Sequence, residues 1–158
     1  MYSMREIVKT FIVPILITLI TVKISLRKFR TEKWWEKKAE TYSLIIDALH
    51  KLKNYCEQKL AAEEYKAEYT STSGHLSREE ETELANQYQQ AHKEVTRAID
   101  VGSFIISEAA LKALSVYKNR PQLDWDTNWL GDIIAQDLKY TTTCLENFKK
   151  EAKKDLGI

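Results

Sequence analysis

Hydrophobic and polar positions change their rhythm once along this chain. From Ile7 to Leu26 the residues IVKTFIVPILITLITVKISL make a nearly unbroken apolar run of twenty, with Lys9 and Lys23 near its ends as the only charges. At about 1.5 Å per residue a helix of that length spans a bilayer, and both lysines can snorkel toward the headgroups. No small-x-small cleavage site follows the run, so an uncleaved anchor over residues 1–26 is expected rather than a secretory signal. Pro14 falls inside the span, where membrane helices tolerate proline and kink at it.

Beyond the run, apolar residues recur at helical intervals. Trp35, Ala39, Tyr42, Ile45, Ile46, Leu49, Leu52, Cys56 and Leu60 form one seam, and no proline or glycine interrupts residues 31–65, so a long helix is expected there. The stretch TSTSGHLS reads as a turn. Ser77 and Glu80 then have capping-box spacing and open a second helix whose inner face is Leu84, Tyr88, Ala91, Val95 and Ala98. Gly102 breaks the pattern, and GSFII is read as a connector. Ser107 is expected to cap a short third helix carrying Ala110, Leu111, Leu114 and Tyr117, which stops before Pro121. A last helix over about 127–156 presents Leu130, Ile133, Ile134, Leu138, Leu145, Phe148 and Ala152. The fold class expected is all-α: an N-terminal transmembrane helix followed by a cytoplasmic four-helix bundle with a long first helix, the bundle occupying residues 27–158.

Composition supports helices, since four glycines and two prolines are few for a fold built on hairpins. Lysine plus arginine number 24 against 23 acidic residues, which leaves no broad basic field, so no nucleic-acid partner is expected. The charge matters where it is uneven. Arg27, Lys28, Arg30, Lys33, Lys37 and Lys38 crowd the C-terminal flank of the apolar run, and the positive-inside rule places that flank and the bundle in the cytoplasm. The location expected is the bacterial inner membrane, single-pass, with the N-terminus outside. Lys9, Lys23, Arg27, Lys28, Arg30, Trp34 and Trp35 are then the residues at the membrane interface, where tryptophan is enriched.

Within the run, Thr10, Pro14, Thr18, Thr21 and Ser25 recur at steps of four, four, three and four. At about 100° per residue they share one arc of roughly 80°. Such a face either satisfies itself, its hydroxyls bonding back to their own helix, or marks where copies approach as a seam or as the lining of a narrow pore.

The search for reactive chemistry returns little. His50, His75 and His92 are the whole imidazole supply, and none has the Glu-x-x-His spacing of bundle metal sites, so neither metal nor cofactor is expected. His50, beside the long seam, is expected to be partly buried. Cys56 and Cys144 lack metal-ligand spacing and sit among apolar residues, as buried reduced thiols do. There is no phosphate loop or nucleophile elbow, and no enzyme is expected. The most distinctive cluster of the C-terminal half is Asp124, Trp125, Asp126 and Trp129, ordinary caps and core on one view, a partner site on the other.

Three stretches, EKWWEKKAETYSLIIDALH from Glu32, DVGSFIISEAALKAL from Asp100 and KKDL from Lys153, resemble a family of small bacterial single-anchor proteins. That resemblance spans nearly the whole chain and brings no known site. The architecture also looks like small membrane effectors of antiphage defence, including the membrane accessory protein of type VI-B CRISPR systems. The bundle of that accessory protein is related to the HEPN fold, whose nucleases carry an arginine four to six residues before a histidine. No histidine here has an arginine at that distance. The resemblance therefore implies a non-catalytic bundle that self-associates into a pore-like homo-oligomer and perturbs the membrane. The rival expectation is an anchored adaptor or sensor whose bundle holds a cytosolic protein or small ligand.

Overall fold

The computed structural model describes residues 4–69, 77–121 and 129–158, without the side chains of 4–14, 67–69 and 103. The described residues form four α-helices: α1 (Met4–Tyr69), α2 (Arg78–Val101), α3 (Glu108–Lys118) and α4 (Leu130–Leu156), with one 3-10 turn at Gly102–Phe104 between α2 and α3. There is no strand among the described residues. The long helix expected over 31–65 and the apolar run before it prove to be one element of 66 residues. The reason is local: the joining stretch RKFRTEKWWEKKAET has no glycine or proline to stop a helix, and it is laced by the pairs Lys28–Glu32 and Lys33–Glu36.

The chain divides into two compact units, Met1–Lys37 and Lys38–Ile158. In the first, every described side chain from Ile15 to Lys37 is exposed. Among the described residues no helix is long and apolar enough to cross a membrane. The spanning helix expected from Ile7–Leu26 is thus not borne by the described structure, which carries side chains for that run only from Ile15 onward.

The second unit is the bundle. Lys59 meets Glu81 at 2.8 Å and Tyr55 stacks on Tyr88 with ring centroids 4.3 Å apart, so rising numbers on α1 face falling numbers on α2 and the pair is an antiparallel hairpin. Lys38 with Asp155 and Tyr42 with Phe148 set α4 antiparallel to α1 in the same way. Tyr42, Leu49, Leu52, Val95, Leu114 and Phe148 are fully buried between the helices. The buried seam of α1 begins at Tyr42 and not, as its periodicity suggests, at Trp35, which is 48% exposed. The cause is length: Asp155 of α4 lies beside Lys38, and α4 ends at Leu156.

The caps follow their sequence signatures. Ser77 Oγ accepts from the Glu80 N–H at 3.2 Å while Glu80 Oε2 accepts from the Ser77 N–H at 2.8 Å, the reciprocal capping box. Ser107 Oγ accepts from the Ala110 N–H at the start of α3. The connector GSFII closes as the 3-10 turn, with Ile106 buried beneath it. α4 starts at Leu130 rather than at about 127; Trp129 is its N-cap and supplies no side-chain bond. His50 is exposed, a correction to its expected partial burial, because it lies one position off the seam residue Leu49 and about 100° around the helix.

Candidate functional site

Three groups of residues stand out. The first is the exposed surface of α1 in the unit Met1–Lys37. Ile15, Leu16, Ile17, Leu19, Ile20, Val22, Ile24, Leu26 and Phe29 are all roughly half exposed or more. At about 100° per residue they spread over roughly 240° of the helix and leave one arc to Thr18, Thr21 and Ser25, so the exposed apolar surface is broader than an amphipathic stripe. Thr18, Thr21 and Ser25 of the small polar face are exposed, and Thr21 Oγ1 donates to the Ile17 carbonyl at 2.9 Å. Lys23, Arg27, Lys28 and Arg30 are exposed beyond them, followed by Trp34 and Trp35, 52% and 48% exposed. Lys9, Thr10 and Pro14, assigned with these residues from sequence, have side chains outside the described residues.

The second group ties the start of the bundle to its end. Lys38 Nζ meets Asp155 Oδ1 at 2.7 Å, and each side chain keeps only 19% of its surface exposed. The Tyr42 hydroxyl donates to the other carboxylate oxygen of Asp155 and accepts from the backbone N–H of Ser107 at 3.2 Å. Burial alone would raise the Asp155 carboxyl; the ammonium of Lys38 and the hydroxyl of Tyr42 reverse the sign and hold it below the ordinary carboxylate range. Three helices meet at one carboxylate. Its parts are 117 residues apart in sequence, and periodicity gives no sign of the pairing.

The third group lies where α3 hands over to α4. Arg120 Nε donates to Asp137 Oδ1 at 2.8 Å and its Nη1 to the Tyr117 carbonyl at 2.9 Å, while the guanidinium sits 4.2 Å from the centre of the Tyr117 ring. His92 packs on Tyr117 and Tyr88, with centroids 5.9 and 6.2 Å apart. Burial lowers the His92 pKa and the charge of Arg120 adds to that, against an opposing pull from Asp137. The Tyr117 hydroxyl is buried near that of Tyr88, and burial, then this neighbour, pushes its pKa upward. A cation next to the C-terminus of α3 was the one sequence signal for Arg120.

Cys56 and Cys144 are free and buried, as expected. Burial pushes their thiols up to about 12 and about 11, so both stay protonated and inert near neutrality. Of the proposed partner cluster, Asp124 and Trp125 lie outside the described residues, as does His75. Trp129 is 49% exposed and its indole lies over Gly131, where an added Cβ would come within 2.2 Å of the ring. The structure does not bring Trp129 together with the Arg120 group into a described pocket. The chain matches no family model, no curated protein and no solved structure.

Proposed function

We propose that this chain is a single-span membrane protein of the bacterial inner membrane, N-terminus outside, whose cytoplasmic bundle is a non-catalytic assembly module. Copies associate in the plane of the bilayer and perturb or permeabilise it, as a defence-linked effector does. The observation that carries this reading is the broad exposed apolar surface from Ile15 to Phe29. A half-exposed large aliphatic forgoes on the order of 1 kcal/mol relative to burial, and nine such side chains favour a hydrocarbon surrounding over water. The exposed cations and tryptophans that follow match the cytoplasmic boundary of a span. A non-catalytic bundle is supported by the engagement of its part-buried carboxylates, Asp137 by Arg120 and Asp155 by Lys38 and Tyr42.

The test is expression of the full chain in bacteria, with the membrane fraction, the detergent-solubilised assembly and the membrane potential all followed. An oligomer and a fall in potential are expected. A monomer in every detergent, with potential unchanged, sinks the proposal. One observation favours the adaptor instead: the Thr21 hydroxyl is already bonded to its own helix, so this member of the polar face asks for no neighbour. Thr18→Leu with Thr21→Leu separates the two, dissolving the oligomer of an effector and leaving an adaptor unaffected.

A further inference from the structure

We propose that the end of the bundle bearing Ser107 and Asp155 is a second lipid-contacting surface, seated on an anionic bilayer; this rests on the membrane-anchored reading. The Tyr42, Asp155, Lys38 and Ser107 contacts bring the start of α3 and the end of α4 to the point where α1 enters the bundle. Phe104 lies three residues before Ser107 and Ile158 three after Asp155, so both belong to this end. They are the most exposed large hydrophobic residues described, at 80% and 78%, and Val101 beside Phe104 is 51% exposed.

Each is outside for a local reason. Ile106 fills the space under Gly102, where an added Cβ would meet it at 3.1 Å, so the inward position of the turn is taken and Phe104 is left outward. α4 ends in a Schellman motif, with Ile158 N–H bonded to the Lys153 carbonyl and Gly157 N–H to that of Lys154. The hydrophobic contact that usually accompanies this motif would fall on Lys153 or Ala152; the first is charged and the second is already buried in the core, and Ile158 is left outside.

The charge beside these tips identifies the occupant. Lys149, Lys150 and Lys153 are exposed on the last turns of α4, with Lys154 paired to Glu151 beside them; Asp155 is held by Lys38, while Glu146 and Glu108 are exposed nearby, so the lysines outnumber the acids. Asp100 on the neighbouring end of α2 is held by Lys118. Apolar tips among lysines suit the boundary of an anionic membrane, the tips entering the headgroup layer and the ammonium groups meeting phosphates. This end is also the one nearest along the chain to the apolar run, twelve residues separating Leu26 from Lys38.

The experiment uses the full chain in nanodiscs of phosphatidylcholine, with or without phosphatidylglycerol. Spin labels are placed singly through Phe104→Cys, Ile158→Cys, Ile20→Cys and Glu83→Cys; native Cys56 and Cys144 are buried and stay unlabelled. Collision with lipid-soluble oxygen is compared with collision with a water-soluble nickel chelate. With phosphatidylglycerol, labels at 104 and 158 should favour oxygen severalfold over the label at 83, and Lys150→Gln, Lys153→Gln and Lys154→Gln together should abolish the preference. Aqueous behaviour at 104 and 158 with a lipid-embedded label at 20 overturns this inference and leaves the anchor standing. An aqueous label at 20 overturns the anchor itself. Protection of 104 and 158 from both reagents assigns the surface to a protein neighbour and overturns the lipid assignment.

Discussion

Asp155 takes tertiary bonds from both Lys38 and Tyr42, and their worth is set by how little water reaches it. With a fifth of its side chain exposed, the carboxylate makes charge-assisted bonds to Lys38 and Tyr42 that are worth more than those of a surface pair, though less than in a dry core. Asp155→Asn should therefore cost about 1 to 2 kcal/mol in urea unfolding. The pH dependence follows from the depressed pKa. The unfolded chain takes up this proton near the ordinary value of about 3.9, before the native state does. The stabilisation is thus complete above that value and is lost as pH falls through the lower native one, and the variant should lack that acid-limb loss. His92 acts at higher pH. Its pKa is also depressed, so its contribution is full above about 6.5 and declines as pH falls through its native value. Arg120, Asp137, Tyr88 and Tyr117 surround it. His92→Gln should flatten the stability profile between neutrality and mild acid; an unchanged slope would exclude His92 as its source.

At the scale of elements, the features that short-range rules govern were legible in the chain and those governed by distant partners were not. Ser77 with Glu80 announced the capping box, Ser107 the start of α3 and Pro121 its stop, because each depends on residues within one turn. Trp35 was misread as core because periodicity reports which face it occupies but not whether a helix lies opposite; that depends on where α4 ends. Lys38, Arg120, Asp137 and Asp155 carry no short-range sign of their pairing for the same reason, their partners being brought near only by the bundle. The end of α4 allows a sharp test. Gly157 has φ 74°, the left-handed region, and an added Cβ would meet nothing within 4 Å, so any cost of alanine is conformational and not steric. Gly157→Ala should lower stability by about 1 kcal/mol and Gly157→Asn by less, since asparagine tolerates this conformation better. Equal losses from the two would point away from the backbone as the cause.

For the whole molecule, what decides between effector and tether is whether the apolar run matters by its sequence or only by its hydrophobicity. The bundle has its own core, in which Tyr42, Leu49, Leu114 and Phe148 are sealed by contacts made entirely within Lys38–Ile158. Nothing in that packing requires Thr18, Thr21 or Ser25. If they serve assembly, they do so through close approach of small residues between neighbouring helices, which bulky side chains prevent. Replacing residues 7–26 by an unrelated apolar helix of equal length, with Arg27, Lys28, Arg30, Trp34 and Trp35 retained, keeps the topology signals and removes the small polar face. Insertion, measured by resistance to carbonate extraction, should survive the exchange. An effector acting through this face should then run as a monomer in detergent and lose its effect on membrane potential. If the oligomer and the loss of potential both persist, assembly belongs to the bundle, and the polar face is no more than threonines and serine satisfied by their own helix, as Thr21 is by Ile17.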